Sequence, residues 1–267
     1  MPDKKKKTKP LSKHRSNRAW IARHVNDPYV QAATREGYRS RAAYKLIEID
    51  KRDRILRPGS VVIDLGAAPG SWCQVVVEKL SIPLAHAARG AEAGFREAPA
   101  SRRRSDRAVQ GAGSGARGEG GGETEFTGRI LALDLLPMDP IPGVEFIQGD
   151  FREDAVMAAL AQALAGAKAD LVLSDMAPNL SGIGAADAAR NTHLWELALE
   201  FALEHLNPGG RLLVKTFQGS GHSQYVQLLK RHFQRVVTRK PAASRSESAE
   251  TYLLASGRKN GQPASTN

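Results

Sequence analysis

Cysteine is almost missing from this 267-residue sequence: Cys73 stands alone. An intramolecular disulfide is therefore excluded, and nothing points to an oxidising compartment. Long apolar runs are missing too, since no segment approaches the roughly 20 consecutive apolar residues of a membrane-spanning helix. The seven histidines fall at no metal-ligand spacing, so no metal site is expected. No hydrophobic region follows Lys4-Lys5-Lys6-Lys7, so the N-terminus does not read as a signal peptide. Negative charge is scarce: 28 acidic residues face 39 lysines and arginines, a formal net charge of +11. Such an excess favours a polyanionic partner, nucleic acid rather than membrane.

The length fits one α/β domain with tails. Residues 1–35 are basic and polar, with Trp20 and Tyr29 as the only aromatics, and read as an arm. The domain is expected over 36–258, with a polar tail at 259–267. Between Ser40 and Arg54, Ala43, Leu46, Ile47 and, less regularly, Ile49 fall at helical spacing. Val61-Val62-Ile63-Asp64-Leu65, apolar except for Asp64, reads as a central parallel strand, and Trp72, Val75, Val76 and Leu80 mark the helix after it. From about Pro83 to Thr127 the composition turns to Ala, Gly and Arg, with Phe95 almost the only large apolar residue before the final turn. A compact fold rarely holds a structureless loop of roughly 45 residues, so this reads as an insertion, disordered or weakly helical.

Strands are then expected at Arg129–Asp134, Val144–Asp150, up to Asp175, Leu212–Phe217, Arg235–Thr238 and Thr251–Ala255. Helical spacing falls around Ala155–Leu164, Asn191–Leu206 and Tyr225–Phe233, and Pro208-Gly209-Gly210 is expected to end the second of these. This alternation predicts a doubly wound, mainly parallel sheet.

In such a sheet the ligand crevice lies at the carboxyl ends of the strands, where the winding reverses. Gly66 and Gly70 permit close backbone approach there. The pattern is neither the G-x-G-x-x-G of nicotinamide enzymes nor a phosphate-binding G-x-x-x-x-G-K-[ST]. Asp134 ends the second strand, where it can accept from ribose hydroxyls, and Asp150 ends the third, where it can accept from an adenine amine. Either aspartate is also an ordinary turn or helix-cap residue. With the glycine turn they favour a nucleoside cofactor lacking pyrophosphate, such as S-adenosylmethionine. Lys215 and Asp175 at strand ends, and Glu250 before Thr251-Tyr252-Leu253, supply basic and acidic groups to one crevice. Glu247 competes with Glu250 for that place.

Five segments carry a resemblance: Asp64-Leu65-Gly66-Ala67-Ala68-Pro69-Gly70-Ser71-Trp72, Asp134-Leu135-Leu136-Pro137-Met138, Gly149-Asp150-Phe151, Ser174-Asp175-Met176-Ala177-Pro178-Asn179 and Val214-Lys215-Thr216-Phe217-Gln218-Gly219. Over about Val25 to Lys259, apart from the insertion, the chain resembles the RlmE (FtsJ-type) ribosomal RNA 2′-O-methyltransferases. The resemblance implies a Rossmann-like S-adenosylmethionine-dependent methyltransferase fold with an antiparallel last strand. It also implies the bacterial cytoplasm and a uridine of 23S, large-subunit ribosomal RNA as substrate. It places Gly70, Trp72, Asp134, Asp150 and Asp175 on S-adenosylmethionine and makes Lys45, Asp175, Lys215 and Glu250 the active tetrad. Ser71 departs from the glycine often found before the tryptophan, and the insertion separates Asp134 from the turn.

Methyl transfer to a ribose hydroxyl needs the oxygen aligned with the sulfonium methyl and its proton removed. Lys215 is the expected general base, with Lys45 destabilising its ammonium form and the carboxylates orienting both amines. Arg35, Arg39, Arg41, Arg239, Lys240 and Arg245 flank these segments and are candidates for RNA phosphates; Tyr38 and Tyr44 are candidates for base stacking or, the commoner role, for packing against the sheet. A monomer is expected. A tRNA 2′-O-methyltransferase and a non-catalytic ribosome-assembly factor are the competing readings.

Overall fold

The computed structural model describes residues 25–83, 124–178, 182, 184–245 and 248–260. Asp27 opens the first complete helix among the described residues, α1 (Pro28–Glu36): its carboxylate accepts from the Tyr29 amide at 3.0 Å, and Pro28 sits in the first turn. A capping acid followed by proline is a strong start signal. The arm expected over 1–35 therefore gives way to a helix before its assigned end. The Tyr29 hydroxyl ties this helix to Glu48 of α2 (Ala42–Asp53) at 3.0 Å.

The remaining elements are β1 (Val61–Leu65), α3 (Ser71–Leu80), β2 (Ser81–Pro83), β3 (Thr124–Phe126), β4 (Arg129–Asp134), β5 (Val144–Gln148), α4 (Asp154–Leu164), β6 (Ala169–Ser174), α5 (Gly184–His205), β7 (Leu206–Phe217), α6 (His222–His232), β8 (Phe233–Arg239) and β9 (Glu250–Arg258). Seven of the strands form one sheet in the order β5-β4-β1-β6-β7-β9-β8. β9 runs antiparallel to both its neighbours, and the pairs among β5, β4, β1, β6 and β7 are parallel.

Alternation along the strands divides the core. Val62, Ile130, Leu171, Leu173, Leu213 and Leu254 join Leu46 and Ile49 of α2 and Trp72, Val75 and Leu80 of α3 on one face. Ile63, Leu131, Val172, Leu212 and Leu253 join Leu160 of α4, Phe201 of α5 and Leu229 of α6 on the other. Truncating a fully buried member such as Leu46 to alanine costs about 2–5 kcal/mol. No helix among the described residues is long and apolar enough to cross a membrane.

Most of the expected insertion, 84–123, lies outside the described residues, as do the tail from 261 and Glu247. The flanks of the insertion are ordered against each other: β2 and β3 pair antiparallel, with Pro83 opposite Thr124. Two expectations shift. α5 begins at Gly184, seven residues before Asn191, and β7 begins at Leu206 rather than Leu212. Between the pairs Ala169–Leu206 and Leu171–Arg211 the register slips. Pro208-Gly209-Gly210 forms this irregular stretch, where a proline without an N–H removes no regular ladder bond.

Candidate active site

Strand order reverses between β4 and β6 on either side of β1, so the crevice opens above the carboxyl ends of these three strands. The loop from Gly66 to Gly70 forms its floor. Gly66 has φ 75° and Gly70 φ 103°, conformations that favour glycine. A Cβ on Gly70 would lie 2.7 Å from Ile141 Cδ1 and 2.8 Å from both Arg39 Nη1 and Met138 Sδ; one on Gly66 would lie 2.5 Å from Met176 Cγ. The loop leads into α3, whose first-turn amides point at whatever the crevice holds.

Asp134 stands at the end of β4. Its Oδ2 accepts from the Ala68 amide and its Oδ1 from the Leu136 amide, both at 2.8 Å, so it locks the glycine loop while retaining unshared lone pairs. Leu135 and Leu136 follow it, each 64% exposed. Asp150, one turn beyond β5, is held by the Arg152 guanidinium, whose Nε lies 2.9 Å from Oδ1. That hydrogen bonding, stronger than the opposing effect of burial, holds the Asp150 carboxyl below its ordinary range. An adenine amine at Asp150 would share the carboxylate with Arg152. The Trp72 side chain is buried against the Tyr252 ring, 5.8 Å between centroids, and its Nε1 donates to the Ala42 carbonyl at 2.8 Å.

The tetrad is assembled by register. Ser174 pairs with Val214, which brings Asp175 level with Lys215, and Lys215 pairs with Tyr252 on β9. Because β9 is antiparallel, its first residue, Glu250, lies at the same end of the sheet as the last residues of β6 and β7. Lys215 Nζ is 3.1 Å from Asp175 Oδ1 and donates to the Asp175 carbonyl as well. Lys45, reaching over from α2, lies 2.8 Å from Glu250 Oε1 and 2.9 Å from Oε2. All four sequence-proposed tetrad residues thus meet as two ion pairs. Burial works to raise the Glu250 carboxyl, but the Lys45 charge and the hydrogen bonds from Lys45 and Ser244 outweigh it and hold it below its ordinary range.

Three residues join the site that the sequence reading did not single out. The Tyr252 hydroxyl donates to Asp175 Oδ1 at 2.7 Å. Burial, followed by the Asp175 and Glu250 charges, pushes this phenol far up, so it stays a donor. Its only sequence signal is its place two residues after Glu250, on the same side of a strand. Ser244 Oγ donates to Glu250 Oε1 at 2.7 Å. Asp64, buried beneath the loop, receives the Cys73 thiol at 3.3 Å and leaves Oδ1 without a partner among the described residues. Burial, reinforced by the Asp175 and Asp134 charges, pushes its carboxyl up to about 7 despite the thiol. Burial also raises the Cys73 thiol, which is inert.

The six candidate RNA-contacting cations separate into distinct groups. Arg39 donates to the carbonyls of Pro69 at 2.9 Å, Asp139 at 2.7 Å and Pro140 at 3.0 Å, buckling the glycine loop to the loop after β4. Arg239 forms a fork with Asp53, both bonds 2.6 Å, and Lys240 donates to the Glu250 carbonyl at 2.8 Å. Arg35 pairs with its exposed neighbour Glu36. Arg41 and Arg245 line a cavity together with Lys45 and Glu250. Tyr38 and Tyr44 pack edge-on at 5.7 Å, with their hydroxyls bound to Glu78 and Glu36. Among the described residues no cluster of histidine, cysteine, aspartate or glutamate could hold a metal ion.

Residues 38–258 match the model of the FtsJ-like methyltransferase family. Proteins of Paraburkholderia phymatum and of an Azoarcus species, both named ribosomal RNA large subunit methyltransferase E, are 51% identical over 91% of this chain and 96% and 98% of their own lengths. A crystal structure described as a ribosomal RNA methyltransferase of Plasmodium falciparum aligns with a TM-score of 0.60 at 30% identity, over 83% of this chain and 98% of that one.

Proposed function

Because the chain belongs to the FtsJ-like methyltransferase family, we propose that it methylates the ribose 2′-oxygen of a uridine in large-subunit ribosomal RNA, taking the methyl group from S-adenosylmethionine. The observation that carries this reading is the meeting of the Lys215–Asp175 and Lys45–Glu250 pairs beside the Gly66–Gly70 loop. The name and near-complete coverage of the Paraburkholderia and Azoarcus relatives support large-subunit ribosomal RNA over tRNA. A monomer working in the cytoplasm fits this substrate.

The glycine cradle suits S-adenosylmethionine. Side chains at 66 and 70 would collide with their surroundings, the exposed Leu135 and Leu136 offer apolar surface beside it, and Asp134 supplies a carboxylate for ribose hydroxyls. Gly70, the Trp72 backbone, Asp134, Asp150 and Asp175 would hold it, and when bound it supplies an electrophilic methyl on a sulfonium centre. Lys215, in its amine form, takes the proton of the attacking 2′-hydroxyl at Nζ. Asp175 fixes that nitrogen, and Tyr252 fixes Asp175. Glu250 holds the second lysine, Lys45, over the same crevice. Asp175 and Glu250 hold the two amines in orientation.

Mass-spectrometric mapping of ribose methylation, in RNA from cells with and without this chain, tests the proposal. A single 2′-O-methyluridine lost from large-subunit RNA is expected. Loss of a tRNA ribose methyl instead would move the substrate. An unchanged methylation pattern with defective subunit assembly would favour a non-catalytic assembly role.

A further inference from the structure

We propose that Arg41 and Arg245 form a clamp for the RNA phosphodiester that flanks the target ribose, at the mouth of the tetrad. This inference rests on the proposed RNA methylation. A cavity of about 240 Å³ is lined by Arg41, Lys45, Arg245, Ser248 and Glu250. Two of these residues belong to the tetrad, so a backbone group seated there is a near neighbour of the reacting ribose.

Both guanidiniums converge on one oxyanion of the protein itself. Arg41 Nη1 binds Asp27 Oδ2, and Arg245 Nε stands 3.9 Å from the same oxygen. Arg41 is fixed: its other terminal nitrogen donates to the Ala243 carbonyl, and its guanidinium lies 5.7 Å from the centre of the Tyr29 ring. Burial, and then the charge of Arg245, lowers its hold on its proton, as expected where two like charges are kept close. Arg245 is different. Its side chain is 42% exposed, and its guanidinium makes no hydrogen bond among the described residues.

One rigid and one adjustable fork around a cavity match a phosphate, whose several oxygens accept from both. Charge supports the same occupant. Glu250, the acid of the lining, is neutralised by Lys45, and Asp27 offsets only one of the two arginines. The remaining Arg245 charge is what a phosphodiester would meet. Arg35, Arg39, Arg239 and Lys240 do not belong to the lining of this cavity.

The test compares Arg245→Gln with Arg57→Gln, an exposed arginine ahead of β1 at the opposite end of the strands. Binding of the full chain to unmodified large-subunit ribosomal RNA is measured over a range of KCl, alongside methyl transfer. Arg245→Gln is expected to weaken RNA binding roughly tenfold and to reduce the slope of log K against log salt by about one, the signature of one lost phosphate contact. Its affinity for S-adenosylmethionine should stay that of the wild type. Arg41→Lys, which keeps the charge but loses the fork, should also weaken RNA binding. Equal effects of Arg245→Gln and Arg57→Gln, or no effect of either, would overturn the clamp. RNA binding that depends on Arg245 without any methyl transfer by the wild type would support the clamp and defeat the proposed function instead.

Discussion

Asp64→Asn is expected to stabilise the protein at neutral and alkaline pH. The wild-type carboxyl is 1% exposed, carries one unpartnered oxygen, and is raised from 3.8 to about 7 by burial and by the neighbouring aspartates. A raised acid makes the folded state the better proton binder, so its contribution to stability falls as pH rises from the unfolded value, about 4, through the folded value, about 7. Below that window the carboxyl is neutral in both states and costs nothing electrostatically. Above it the full penalty is present: roughly three pKa units at 1.36 kcal/mol each, or about 4 kcal/mol. Asparagine cannot ionise, so the variant should gain up to about 4 kcal/mol over the wild type between pH 4.5 and pH 8. Urea unfolding of both proteins at several pH values, without S-adenosylmethionine, measures this. Contributions from Glu250, Asp53 and Asp150, whose carboxyls are lowered, are common to both proteins and cancel in the difference. A difference independent of pH would refute the reasoning.

Asp134→Ala removes the acceptor of two loop amides and of the proposed ribose contact, and should weaken S-adenosylmethionine binding by about 1–3 kcal/mol, read by calorimetry. Arg39→Gln unbuckles the two walls of the crevice; it should raise the KM for S-adenosylmethionine about tenfold with a far smaller change in kcat, and equal changes in both would reject a positioning role. Deleting Ala87 to Glu123 leaves Leu84-Ala85-His86 to join the paired ends Pro83 and Thr124, a three-residue hairpin connection. Cooperative thermal unfolding and most turnover should survive that deletion.

Much of the architecture is written in local pattern. The apolar run Val61–Leu65 is a central strand because both its faces are covered, and the spacing of Ala43, Leu46 and Ile49 gives the buried face of α2. Less legible were places where small residues carry no periodicity. The first seven residues of α5, Gly184–Arg190, contain four alanines and no large apolar residue. The tetrad could be listed from the sequence, but its pairing depends on the antiparallel β9, which alone brings the start of a strand to the end of its neighbours. The Arg39 role left no trace, because its partners are backbone carbonyls up to 101 residues away. The resemblance places Trp72 on the cofactor, while its indole packs into the core and donates to the Ala42 carbonyl. Motif position does not state which part of a residue faces the ligand.

Single-turnover methyl transfer by Lys215→Ala and Lys215→Arg, with RNA and S-adenosylmethionine bound at saturation and across a range of pH, tests the base most directly. Lys215→Ala should lose roughly 100-fold or more, the scale of a positioned base. Arginine, which stays protonated, should not rescue it. The wild-type rate should rise with pH, and that rise should vanish in Lys215→Ala. Near-normal transfer by Lys215→Arg would contradict the account, showing that this residue acts through its charge and that Lys45 or water removes the proton.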